Sequence, residues 1–174
     1  MLEGIIRPAI AADWPAIWAI LEPIFRAGET YPYPPDISET EAQTVWMTVP
    51  TQTFVFESDD RQILGTYYLK PNQPGLGSHV CNCGFAVAAA ARGQGVGKTL
   101  GLHALQVASS FGFRAMQFNL VVATNTPSIQ LWQQLGFTTI GRLPQAFRHP
   151  QQGWVDALVF YKLLEEPVEA AIPD

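Results

Sequence analysis

Charge is scarce in this chain. Only 14 % of its 174 residues are Asp, Glu, Lys or Arg, against roughly 25 % in an ordinary soluble domain. Ten basic residues face fifteen acidic ones, which leaves a net charge of −5 with no cluster of Lys and Arg. A nucleic-acid binder needs a basic footprint to neutralise phosphates, and an anionic membrane surface makes the same demand. Neither partner is expected. No apolar run is long enough to span a bilayer. Met1 to Trp14 carries Glu3, Arg7 and Asp13 where a secretory leader would be basic and then apolar, so a cytoplasmic location is expected. Metal-ligand spacing of His, Asp or Glu is missing, as is the G-x-S-x-G elbow of a hydrolase. The two cysteines, Cys81 and Cys83, form neither a redox C-x-x-C nor a zinc pair, and read as buried structural thiols.

Apolar residues are plentiful at 48 %, and 174 residues suffice for one core. A single domain over 1–174 is expected, with a frayed acidic tail from Glu165. Ile5 to Ile10 reads as a short first strand. Asp13 then caps a helix that tolerates Pro15 in its first turn and stops at Gly28. Its apolar face is Ile17, Ile20, Leu21, Ile24 and Phe25. The Pro-rich segment Glu29 to Pro35 cannot be regular structure, yet it holds Tyr31 and Tyr33. Ser38 and Glu41 make a capping box ahead of Ala42, Val45, Trp46 and Val49.

Thr53–Glu57 and Gln62–Lys70 are β-rich stretches around the turn Ser58-Asp59-Asp60-Arg61, which predicts an antiparallel hairpin. A fourth strand runs over His79–Val87. After the glycine-rich Arg92-Gly93-Gln94-Gly95-Val96-Gly97, apolar residues from Val96 to Phe111 recur at helical spacing, and Gly112 closes the helix. Met116–Val122 alternates as a strand, with Met116, Phe118, Leu120 and Val122 on one face. Thr126 and Pro127 begin a short helix ending at Leu135-Gly136. Thr138–Arg142 and Trp154–Leu163 close the chain as strands. This order predicts an α+β fold with a central, mostly antiparallel sheet.

Closely spaced glycines between a strand and a helix gather backbone N–H groups at the positive end of the helix dipole, a site for phosphate or pyrophosphate. Gly95-Val96-Gly97-Lys98-Thr99 looks like the end of a nucleotide P-loop, but the position six before the Lys is Arg92 rather than Gly. The strand Met116–Val122 also lacks an Asp to hold magnesium.

Arg92-x-x-Gly95-x-Gly97 instead resembles the Q/R-x-x-G-x-G/A signature of the GNAT N-acetyltransferase family. Downstream, Asn125-Thr126-Pro127-Ser128-Ile129-Gln130-Leu131-Trp132-Gln133-Gln134-Leu135-Gly136-Phe137 is similar to that family's N-x-x-A/S-x-x-L-Y-x-x-x-G-F helix. The ordered pair is far more specific than either motif. The resemblance implies the GNAT fold, with a sheet splayed between strands 4 and 5 and helices on both faces, and acetyl-CoA as acyl donor. It implies that the backbone of Phe85, Ala86 and Val87 holds the pantetheine arm. The amides of Arg92, Gly93, Gln94, Gly95, Val96, Gly97 and Lys98 would receive the pyrophosphate. Asn125 would bond the pantetheine, with Ser128 and Trp132 flanking the thioester. A Trp at 132 departs from the family's Tyr, and an indole N–H cannot protonate a leaving thiolate.

A narrower resemblance runs through Gly28 to Pro34, Tyr67 to Asn72, Gly77 to Asn82 and Met116 to Asn119. These segments look like those of the fungal proline-analogue acetyltransferases, which acetylate cyclic imino acids such as azetidine-2-carboxylate. By that likeness Asn82 and Asn119 carry over as catalytic and substrate-binding amides. Glu29, Tyr31 and Tyr33 would belong to a substrate-side loop, the acceptor would be a small amine, and the assembly a homodimer. A pair of structural amides bridging the splayed strands is the plainer reading of Asn82 and Asn119. Acetylation of another small amine or of a protein amino group stays open, as does a non-catalytic acyl-CoA sensor. His79 and His103 read as structural or packing residues, and Trp14, Trp18 and Trp46 as core or groove positions.

Overall fold

The computed structural model describes residues 3–164; the tail expected to fray lies outside them. The chain runs β1 (Gly4–Pro8), α1 (Trp14–Ala27), α2 (Glu39–Gln43), β2 (Gln52–Ser58), β3 (Ile63–Pro71), β4 (Val80–Val87), α3 (Val96–Ser110), β5 (Ala115–Val122), α4 (Thr126–Gln134), β6 (Thr138–His149) and β7 (Gly153–Leu163). All seven strands form one sheet in the order β1-β2-β3-β4-β5-β7-β6. Every neighbouring pair is antiparallel except β4 and β5, which are parallel.

Strand alternation gives the sheet two apolar faces, each covered by helices. Val55, Tyr68 and Ala86 face α1 and the Trp46 region, where Ile17, Leu21, Phe25 and Trp46 are buried. Phe54, Tyr67, Leu69, Cys81 and Cys83 face α3 and α4. Both cysteines are buried and free. On that side His103 is half-buried and hydrogen-bonded through Nδ1 to the Tyr67 hydroxyl at 2.8 Å, a packing role. The capping box forms as its sequence predicts, with the Ser38 side chain accepting from Glu41 N–H at 3.2 Å. A π-helical turn, Thr44–Thr48, then places Trp46 in the core. The hairpin β2–β3 and the Gly28 stop, at φ 64°, also agree with the sequence.

Three expectations need correction. Asp13 does not cap α1 through its side chain. Its carboxylate accepts from Ile10 N–H at 2.8 Å and from Arg7 at 2.7 and 2.9 Å, and Arg7 also pairs with Glu57 on β2. A charge-assisted, bidentate pair outcompetes a cap. β6 does not stop at Arg142 but continues to His149, with register shifts on the way. The strict alternation read into β5 fails because a bulge between Phe118 and Val121 buries Val121 beside Val122.

Hydrogen bonding by the Arg7 guanidinium holds the buried Asp13 carboxyl below its ordinary value. A depressed carboxylate adds stability that is present above its unfolded pKa and lost as pH falls through the folded one. Asp13→Asn should therefore lower unfolding stability by about 2 kcal/mol near neutral pH. The gap between variant and parent should close as acid takes the parent below the ordinary aspartate pKa of about 3.9, which denaturant titrations at several pH values would measure.

Candidate active site

β4 and β5 pair only at Val80–Ala115 and Cys81–Met116, and beyond these the strands part. Backbone parity decides which groups face the gap. Ala88 N–H bonds Leu64 C=O at 2.9 Å, so the even-numbered residues of β4 direct their backbone polar groups to β3. Cys83, Phe85 and Val87 direct theirs into the gap. Ala86, expected alongside Phe85 and Val87 as a backbone ligand, is committed to Thr66 on β3.

The gap opens into a cavity of about 600 Å³. At the glycine-loop end it is walled by Val87, Arg92, Gly97, Asn125, Ser128 and Trp132. Gly93 and Gly95 adopt φ of +73° and +91°, which bends the loop into α3. The first intrahelical bond of α3 runs from Thr99 N–H to Gly95 C=O at 3.0 Å. The amides of Val96, Gly97 and Lys98 thus have no acceptor within the helix. The side chains there do less than the backbone: Val96 is buried in the core, and Gln94 Nε2 donates to Ala90 C=O at 2.7 Å. Asn125 Oδ1 caps α4 by accepting from Ser128 N–H at 3.3 Å, leaving its Nδ2 as a donor. Trp132 is 6 % exposed and packs on Phe85 and Phe118 at 4.9 and 4.5 Å between centroids. It is a wall, consistent with an indole that cannot serve as an acid.

The other end is lined by Glu29, Tyr31, Tyr33, Tyr68, Asn82 and Asn119, the residues expected on the acceptor side together with Tyr68. Tyr31 donates its hydroxyl proton to Phe85 C=O at 2.8 Å, capping one of the carbonyls that faces the gap. Burial pushes the phenols of Tyr31, Tyr33 and Tyr68 upward, so all three stay protonated at neutral pH. Tyr31 stacks on Tyr33 at 5.9 Å, and Trp46 meets Tyr31 and Tyr68 edge-on at 5.8 and 4.9 Å. Sequence reasoning passed over Tyr68. Its signal was the Tyr67-Tyr68 pair, since adjacent strand residues must face opposite sides of the sheet.

Asn82 and Asn119 both reach the site and behave differently. Asn82 is buried, and its Nδ2 donates to Gln117 C=O on β5 at 2.9 Å, extending the pairing one step past Cys81–Met116. Its Oδ1 takes no bond among the described residues. Asn119 sits at the bulge, exposed, accepting from Gln117 Nε2 at 2.9 Å and donating to Asn72 Oδ1 at 2.7 Å. His79 is exposed and absent from the lining. Arg92 and Glu29 are the two charged side chains of the cavity wall. No group of His, Cys, Asp and Glu among the described residues could hold a metal ion.

Two parallel strands that part above a glycine loop at a helix N-terminus match what the paired motifs imply, and comparison with known proteins agrees. Residues 14–137 match the Acetyltransferase (GNAT) family. The chain belongs to this family. N-acetyltransferase aca1 of Schizosaccharomyces pombe is 36 % identical over 149 residues, covering 76 % of this chain and 71 % of its own. A GCN5-related N-acetyltransferase from Kribbella flavida superposes with TM-score 0.88 at 46 % identity, over 92 % of this chain and 97 % of that one. A phosphinothricin acetyltransferase from Sinorhizobium meliloti in complex with AcCoA shares the fold at TM-score 0.82 and 23 % identity, over 98 % and 96 % of the two chains. This GNAT chain is an acetyltransferase.

Gly84 lets the Tyr68 ring lie against β4. A Cβ there would fall 2.5 Å from Tyr68 Cε1 and 2.8 Å from Cζ, and Trp46 blocks the ring's retreat. Gly84→Ala should destabilise the fold by about 1–3 kcal/mol, the usual cost of overpacking. It should also raise KM for the acceptor more than KM for acetyl-CoA. Steady-state kinetics with each substrate varied would test this, and an unchanged acceptor KM would remove Tyr68 from the acceptor wall.

Proposed function

We propose that this enzyme acetylates the nitrogen of a small amino or cyclic imino acid by direct transfer from acetyl-CoA, with both substrates bound together. The single observation that carries the reading is the continuous cavity joining the glycine loop to the Tyr- and Asn-lined acceptor half. Acetyl-CoA supplies a thioester whose carbonyl carbon is the electrophile. The chain's residues fit that group: amides at Val96 to Lys98 for the pyrophosphate, Asn125 Nδ2 and the open edge of β4 for the pantetheine.

Asn82 is assigned to the acceptor amine. Its Nδ2 is tied to Gln117, so Oδ1 is what it presents, and a carbonyl oxygen can only accept. An amine N–H held there has its lone pair directed away from the amide. Tyr31 acts the same way, because its proton is already given to Phe85. Neither is a base, and the amine proton leaves through water or Glu29. Val87 N–H, on the gap side of β4, is the donor for the developing oxyanion. The thiolate departs without a side-chain acid at 132, which its modest basicity permits. Asn119 holds Asn72 and Gln117 in place and acts on the acceptor through that frame.

Gly95→Glu combines about 1–2 kcal/mol of left-handed strain with a negative charge at a helix N-terminus. Calorimetry should show acetyl-CoA affinity reduced by about two orders of magnitude; retained tight binding would dismiss the loop as the diphosphate site. For the acceptor, thiol release should be fastest with azetidine-2-carboxylate or L-proline in a panel that includes ordinary amino acids and a polyamine. Release with the polyamine alone would redirect the assignment to another amine class.

A further inference from the structure

A second cavity, of about 300 Å³, adjoins the first and shares Glu29, Thr30, Asn125 and Pro127 with it. Its other wall is Thr124 with His149 at the end of β6 and Gln151 and Gln152 from the β6–β7 turn. All of these but Pro127 bring a polar side chain, an unusual density for a cleft floor.

His149 fixes the chemistry. It is 6 % exposed, and its Nδ1 faces two backbone donors, Gln151 N–H at 3.2 Å and Gln152 N–H at 3.3 Å. Nδ1 must therefore be an acceptor, and the single proton of the neutral ring sits on Nε2. No partner for Nε2 occurs among the described residues. No sealed side-chain nitrogen or oxygen there lacks a partner either, so this N–H is not sealed off, and its residue lines the cavity. Glu29, at the junction of the two cavities, has no side-chain partner among the described residues. The subsite thus offers the His149 donor, one carboxylate, three neutral carboxamides and two hydroxyls, with no cation.

We infer that this cavity receives an amide group attached to the acceptor. The amide C=O accepts from His149 Nε2–H, and the amide N–H is donated to the Glu29 carboxylate. A carboxylate in the same place would meet Glu29 with like charge and no cation to offset it. Resting on the assignment of the main cavity to acetyl transfer, this shifts the preferred acceptor from the free amino or imino acid to its amide, including an imino acid at the start of a peptide, with the free acid the weaker substrate.

The test compares kcat/KM for pyrrolidine, L-proline, L-prolinamide and a prolyl dipeptide. Prolinamide should exceed pyrrolidine by roughly tenfold, the worth of about one or two hydrogen bonds. In His149→Ala that ratio should collapse toward one. Taken within one protein, the ratio is insensitive to how much enzyme is folded. In Glu29→Gln the preference for prolinamide over proline should shrink as the repulsion is removed. A dipeptide matching prolinamide points to a peptide acceptor, and one that is excluded points to a small amide; both keep the subsite. An amide-to-pyrrolidine ratio unmoved in His149→Ala overturns the subsite while leaving acetyl transfer standing. No acetylation of any of the four overturns the acceptor assignment and the subsite with it.

Discussion

The parting of β4 from β5 after two residue pairs is the constraint on which the rest of the structure depends. A sheet opened in its middle leaves backbone N–H and C=O groups without partners, and a protein interior tolerates few of those. This chain closes part of the tear with side chains. Asn82 carries the β4–β5 link one step further through Gln117 C=O, and Tyr31 caps the Phe85 carbonyl. What remains uncapped, chiefly the Val87 N–H side of the edge, is the part that an extended ligand can complete as an added strand.

Holding the tear open needs rigid walls, and aromatic packing supplies them on both faces. On one side Trp132, Phe85, Phe118 and Phe137 interlock, with Phe118 and Phe137 stacked at 4.6 Å. On the other, Phe25 and Trp46 support Tyr31, Tyr33 and Tyr68. The tyrosines are thereby ordered donors and surfaces rather than titrating groups, since burial keeps their protons on. Asn82 and Glu29 add oxygen lone pairs to the same end of the cavity.

Features written locally were legible in the sequence. The capping box at Ser38 and Glu41, the β2–β3 hairpin, the Gly28 stop and the Arg92–Gly97 loop each depend on residues within a few positions of one another. Features that depend on distant partners were not. Asp13 looked like a cap because only the folded turn after β1 brings Arg7 back onto it, with Glu57 of β2 holding the same guanidinium from the other side. The β5 bulge left no local mark, so Val121 was assigned to the wrong face. His149 stayed out of sight because β6 runs past Arg142 as an irregular edge strand, and only the folded hairpin brings its turn beside Glu29.

The placement of charge in the cavity follows from the same economy. Arg92 stands at the glycine-loop end and Glu29 at the tyrosine-lined end, with apolar or neutral groups between them. That separation favours an anionic ligand on one side and a cationic or neutral one on the other. On the proposed reading, an acceptor amine that arrives protonated is drawn toward Glu29 and must shed its proton before it can attack. Because Tyr31 and Asn82 present only lone pairs, the bound nitrogen can be held in either protonation state. On the proposed reading, Trp132 offers the leaving sulfur a wall and no acid, so the thiolate departs unassisted while the amine proton passes to water or Glu29.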